Sequence, residues 1–172
     1  MDWRHMVEKG LRWTQPSAFR REFTLLAGDQ QVGTLRFEKA FGSLATADLV
    51  GQRWTLKREG FWQPRVNVRQ ACSQANLAVF LAHWSGGGTL EFPDGRRYGW
   101  KCLNFWGSQW GFLSPDESPM LTFKHDGVFK TEARAEHEPS SRTLPEAPLL
   151  VALGWYLMVL AAEDSAAVAA IG

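Results

Sequence analysis

Between Leu11 and about Ala133, apolar and polar residues alternate in short runs broken by turn residues, the period-two signature of half-buried strands. The runs read LRWTQ, REFTLL, VGTLRFE, LATADLV, RWTLKRE, RVNVRQ, NLAVFLAHW, GTLEF, RRYGWKC, QWGFL, PMLTFKH and GVFKTEA, which predicts about twelve strands. Turn chemistry separates them. PDG, between GTLEF and RRYGW, combines the preset φ of Pro93, the backbone-bonding side chain of Asp94 and the positive φ open to Gly95. The alternation also assigns faces. Phe23, Leu25, Trp54, Leu56, Trp100 and Phe123 fall on one side of their strands, and Arg36, Arg53, Lys57, Asn67 and Lys124 on the other. Such a sheet has one apolar and one wet face.

The pattern then changes. Residues 136–148 (EHEPSSRTLPEAP) are polar and Pro-rich and read as a linker, and no strong helical period precedes residue 145. PLLVALGWYLMVLAA, residues 148–162, follows without a charge and is closed by Glu163 and Asp164. A membrane span takes about 20 apolar residues, whereas shorter runs are more often core helices. Pro148 suits a first helical turn, and a helix over 148–163 that is apolar on every side must be buried on every side. A barrel of about eight strands is filled by its own side chains, while 16–18 strands leave a channel. Twelve leave room for something else, and a helix about 10–12 Å across fits it. The expectation is one mainly β domain over residues 1–172, a closed antiparallel barrel around a buried C-terminal helix, with no transmembrane segment. The alternative is a β-sandwich with the helix packed on one face.

In the order of its elements, and in PLLVALGWYLMVLAAED, the chain from Leu11 to Gly172 resembles the tubby C-terminal-like superfamily. That group includes tubby domains, LURP-one-related proteins and phospholipid scramblases. The resemblance implies a barrel around a hydrophobic helix. It also implies an association with lipid, since tubby domains bind phosphoinositides and scramblases are membrane proteins tied to calcium. The chain departs from the pattern in having no cysteine-rich lipidation segment and no calcium-loop spacing, and no lipid-binding residue of tubby is carried over.

Composition adds limits. Nineteen Lys and Arg against eighteen Asp and Glu leave a net charge of +1, so any electropositive site must be local, and the signal for nucleic acid in KREGFWQPR is weak. Nine Trp and eleven Phe suit pleated, half-buried surfaces. Cys72 and Cys102 sit in neither C-x-x-C nor zinc spacing and read as small apolar residues of a cytoplasmic protein. The charged amino terminus predicts no signal peptide. No metal or cofactor is expected, and the chain reads as a monomer.

Candidate chemistry is sparse. SGGGTLEF lacks the G-K-[ST] ending of a phosphate loop and leads into a strand. His83 reads as a barrel-end histidine sharing a face with Leu77, Val79 and Leu81, and it marks the place of an enzyme site at a barrel mouth, should there be one. Lys57, Arg65, Arg69, Arg96 and Arg97, with Trp62 nearby, are the candidate ligand-binding residues. They would form either a solvated outer face or a site for anionic lipid head groups, which attract about 1 kcal/mol per basic residue. The functional expectation is a non-catalytic module that binds anionic lipid, another amphiphile or a protein, in the cytoplasm or at a membrane periphery.

Overall fold

Every run that alternates has a core for its alternate side chains to enter. The computed structural model describes residues 2–125 and 131–172. After a short helix α1 (Trp3–Glu8) come β1 (Leu11–Thr14), β2 (Glu22–Ala27), β3 (Gln30–Phe37) and β4 (Ala45–Leu49). Next are β5 (Gln52–Glu59), β6 (Arg65–Gln70), β7 (Ala78–Ala82) and β8 (Gly88–Glu91). The last four strands are β9 (Arg97–Cys102), β10 (Gln109–Leu113), β11 (Pro119–His125) and β12 (Ala133–His137). A 3₁₀ turn (Pro139–Ser141) leads into the long helix α2 (Ala147–Ile171).

Each strand pairs antiparallel with its chain neighbours, and β1 pairs with β12, Leu11 opposite Ala135, so the sheet closes into a barrel. Closure leaves no open edge strand. It also sorts the connections. Those from odd to even strands lie at one end, the mouth, and those from even to odd strands lie at the other, the closed end. α1 and the start of α2 belong to the closed end, so α2 runs toward the mouth.

α2 fills the lumen. From Ala147 to Leu160 every residue except the half-buried Leu157 is buried. Its partners come from around the barrel. Trp155 stacks on Trp13 of β1 (6.2 Å, 6°) and meets Phe23 of β2 edge-on at 5.6 Å. Tyr156 stacks on Phe37 of β3 (5.5 Å, 8°) and donates its hydroxyl to the Ser43 carbonyl at 2.6 Å. On another side Gly154 lies under the Phe123 ring of β11, where a Cβ would stand 2.3 Å from a ring carbon. Such contacts require a barrel around the helix and exclude the sandwich.

Three readings need correction. The twelfth strand is Ala133–His137, inside what reads as linker; Gly127–Lys130 of the expected GVFKTEA strand lies outside the described residues. The inward positions of β12 are Ala133, Ala135 and His137, small or polar residues that give little apolar alternation. Nor does α2 end at Glu163. It continues through the Ala-rich segment to Ile171, because alanine is the best helix former and the two acids bond elsewhere than to the backbone. In β7 Ala78 and Phe80 face the core, so the face that Leu77, Val79 and Leu81 share is the outer one, and Leu81 is exposed. Asn67 faces outward yet is covered, donating to Glu59 Oε2 at 2.8 Å and accepting from Asn76 at 3.3 Å. The unanticipated α1 has six residues, too few for a period, and buries Met6.

The closed end carries buried polar groups with local partners. Glu146, ahead of α2, accepts from Arg96 Nη1 at 2.6 Å and from the Tyr98 hydroxyl. Burial, then Glu146 as acceptor, pushes Tyr98 up to about 12. His137 shares a 3.0 Å hydrogen bond with Ser141, whose hydroxyl donates to the Met120 carbonyl at 2.6 Å, and Trp3 packs edge-on at 5.8 Å. Burial, with the charge of Arg142 second, lowers the His137 pKa from 6.5 to about 4.

Two predictions follow from these contacts. Gly154→Ala would gain about 1 kcal/mol from helix propensity. Because it drives a methyl into Phe123, it is expected instead to lower stability by about 1–2 kcal/mol net, read from the urea midpoint. His137 makes the fold sensitive to acid. Above its ordinary pKa both the folded and unfolded states hold it neutral. Between about 6.5 and about 4 only the unfolded chain takes up the proton, so its contribution to stability is lost as pH falls through that window. Urea unfolding across that range should show this slope, and His137→Gln should flatten it.

Candidate ligand site at the barrel mouth

α2 does not fill the mouth evenly. Its aromatic contacts gather on β1, β2, β3 and β11, and on the side of β6 to β10 a cavity of about 640 Å³ opens toward the mouth. Phe80, Trp100 and Trp110 form its outer wall and Leu157 and Met158 its inner one. Trp100 and Trp110 are nearly parallel, 5.7 Å apart at 21°. The volume lies within the usual range for small-molecule sites, about 300–1,000 Å³, and the walls are apolar as such sites require.

Where α2 leaves the barrel, two ion pairs hold it. Arg21 meets Glu163 through both carboxylate oxygens at 3.0 and 2.7 Å, and its guanidinium lies 4.1 Å above Phe37. Arg58 does the same to Asp164 at 2.6 and 3.0 Å. The acids that close the apolar run in the sequence thus fix the depth and rotation of the helix, and Arg58 and Asp164 form part of the cavity rim.

The remaining polar rim groups have partners of their own. His83 Nε2 is 3.0 Å from Thr89 Oγ1, on the outer side of β8, and His125 Nδ1 is 3.3 Å from the Glu132 carbonyl. Ser108 receives a hydrogen bond from Asn104 at 2.7 Å, and Ser165 donates to the Ala161 carbonyl at 2.9 Å. A hydrolytic site needs a nucleophile hydrogen-bonded to a base that a third group orients; these bonds do not assemble one in the cavity. Among the described residues no group of three or more His, Cys, Asp or Glu could hold a metal ion. Cys102 is half-buried and donates to the Asn104 carbonyl at 3.1 Å, as a structural residue would, whereas Cys72 is exposed in the β6–β7 loop with φ of 68°.

Of the five basic residues singled out in the sequence, Lys57, Arg65 and Arg69 share the outer face of the adjacent strands β5 and β6, while Arg96 and Arg97 lie elsewhere. Lys57 and Arg69 lie on β5 and β6, Lys57 paired with Glu59 at 3.3 Å and Arg69 donating to Asn76 at 3.0 Å. Arg65 stands at the mouth end of β6, opposite Glu59 and Leu81. Arg97, on β9, pairs with Glu91 at 3.4 Å. Arg96 belongs to the closed end, held by Asp94 at 2.7 Å and Glu146 at 2.6 Å and lying over Phe92. Three strand spacings of about 4.8 Å separate β6 from β9. That exceeds the screening length of about 8 Å at physiological ionic strength. Trp62, by contrast, projects from the mouth rim with 77% of its surface exposed. The cavity is invisible in the sequence; its only signal is an aromatic surplus, Trp100 and Trp110 on adjacent strands.

The fold and site define a helix-filled antiparallel barrel with an apolar cavity at one mouth. The chain matches no family model, no curated protein and no solved structure.

The ion pairs at the mouth yield a prediction. With half-exposed carboxylates, Glu163→Gln and Asp164→Asn together are expected to cost about 1 kcal/mol, fading in high salt. Amide hydrogen exchange should accelerate over residues 161–171, while the core of α2 keeps its protection.

Proposed function

We propose that the protein is a non-catalytic binding module for an amphiphile, whose apolar part lies in the mouth cavity and whose polar end meets the rim at Arg58, His83 and His125. The observation that carries this reading is the cavity itself, walled by Phe80, Trp100, Trp110, Leu157 and Met158 and lined at the mouth by Arg58, His83 and Asp164. The resemblance to barrels associated with lipid points the same way. Of the two ligand classes expected, an amphiphile held by its apolar part is favoured over anionic head groups held on the outer face, because Lys57, Arg96 and Arg97 already have carboxylate partners.

Titration with a long-chain fatty acid or a lysophospholipid below its micellar concentration tests the reading. Saturable change in tryptophan emission with one-to-one stoichiometry is expected, together with a negative heat-capacity change in calorimetry. Ala161→Trp fills the cavity from an exposed helix position. It should weaken binding by about tenfold or more while leaving the melting temperature unchanged. No saturable binding of either probe would overturn the proposal. Turnover of an acyl ester that disappears in His83→Ala or His125→Ala would replace it with the enzymatic alternative.

A further inference from the structure

The closure of the barrel places the β1–β2, β3–β4, β5–β6, β7–β8 and β9–β10 loops side by side around the mouth. Each presents an aromatic side chain to solvent. Phe19 and Phe41 stand on the first two, Phe61 and Trp62 on the third, Trp84 on the fourth, and Phe105 and Trp106 on the fifth. Their exposures run from 77 to 100%. Among the described residues, the other large exposed hydrophobics lie at the same end: Leu44 in the β3–β4 loop, Leu81 beside the mouth on β7, and Val168 and Ile171 on the projecting part of α2. Scattered exposed apolar residues are ordinary, but their gathering on one rim marks a surface that is covered in use.

The charges say what covers it. The β5–β6, β7–β8 and β9–β10 loops, residues 60–64, 83–87 and 103–108, contain no Asp, Glu, Lys or Arg. From Ser165 to Gly172 there is none either, and the acids just before them are bonded to Arg21 and Arg58. On the other side of the rim the aromatics stand beside cations, Phe19 next to Arg20 and Phe41 two residues from Lys39. Neutral Trp and Phe with flanking Lys or Arg is the composition that settles at a bilayer interface.

Shape agrees. Successive aromatic loops are about two strand spacings apart, roughly 10 Å, so an occupant that meets all of them is broad. Beyond Ala161 the helix projects from among them by about 15 Å, at about 1.5 Å per residue, as exposed and uncharged turns past Asp164. A flat folded partner would be held off by such a projection, whereas hydrocarbon admits it. An isolated helical extension of this length gains little in water.

We propose that the mouth rim is a membrane-docking surface, its aromatic loop tips seated in the interface of a lipid bilayer and the apolar end of α2 inserted beneath them. Docking stands apart from what the cavity holds. Its consequence, that the cavity would open against lipid and exchange an amphiphile with it, rests on the binding function proposed above.

Co-sedimentation of the full chain with phosphatidylcholine vesicles, and with vesicles containing phosphatidylserine, tests the docking. Binding to the neutral vesicles is expected to persist at about 1 M salt, where charges are screened within roughly 3 Å. Brominated acyl chains should quench tryptophan emission. The triple variant Trp62→Ser, Trp84→Ser, Phe105→Ser replaces exposed side chains that do not line the cavity. It should keep its melting temperature and its response to fatty acid while binding vesicles at least tenfold more weakly. Ala161→Trp should still bind vesicles, which separates this proposal from the previous one. Three results would overturn it: no pelleting with either vesicle, pelleting with anionic vesicles alone that salt abolishes, or an unaltered triple variant. A concentration-dependent dimer that the triple variant loses, without vesicle binding, would assign the rim to a second copy of the chain instead.

Discussion

Twelve strands enclose more space than their own side chains can fill, and the burial of α2 in that space is the interaction on which the other features depend. Neither part by itself has a place to bury its apolar face. The inward face of the sheet would line an open channel, and the helix, apolar around its whole circumference, would have no aqueous face to present. Each fully buried Leu or Val of α2 removes about 1.5–3 kcal/mol worth of apolar surface from water. The cost of a glycine at position 154 is accepted for the same reason, since only there can the helix backbone pass beneath Phe123.

Threading a single helix through the barrel makes its two ends different. At the closed end the chain must turn from β12 into α2 without leaving buried polar groups unpaired. Glu146 Oε1 with Arg96 and Tyr98, and His137 Nδ1 with Ser141, meet that demand in part, while Glu146 Oε2 and His137 Nε2 have no hydrogen-bond partner. At the mouth the helix leaves an interior for water, and the paired acids Glu163 and Asp164 mark the crossing. The cavity lies at the mouth, away from those buried polar groups. The loops there are free to carry aromatics and glycine, and the off-centre helix leaves the cavity between itself and β6 to β10.

The outer face has a different logic. Its basic residues answer acidic ones across the ladder, as Arg53 does to Asp48 at 2.6 Å, Arg36 to Glu22 at 3.0 Å and Lys124 to Glu136 at 2.7 Å. Such exposed cross-strand pairs contribute little to stability. They give the outer face of the closed sheet charges of both signs without building a field of one sign. Of the basic residues counted along the chain, Lys57, Arg96 and Arg97 are taken up in local ion pairs, and Arg65 and Arg69 stay beside Lys57 on the outer face.

How much of this was legible beforehand differs from element to element. Period-two runs located eleven of the strands, because a residue with one apolar and one wet neighbour face has only one way to sit in a sheet. β12 escaped, since Ala133, Ala135 and His137 are inward residues without apolar bulk. The all-round apolarity of residues 148–162 by itself required a buried helix and, with the strand number, a barrel to hold it. What the sequence could not determine is anything that depends on which elements are neighbours through space. Glu163 and Asp164 look like the end of a helix until Arg21 and Arg58 are placed against them. Phe19, Phe41, Trp84 and Phe105 have no assigned face in the sequence pattern until closure brings their loops, with that of Trp62, to one rim. Burial pattern is a local property, written in the spacing of side chains along one strand. A cavity, a clamp or a rim is a relation among distant segments, and only closing the barrel creates it.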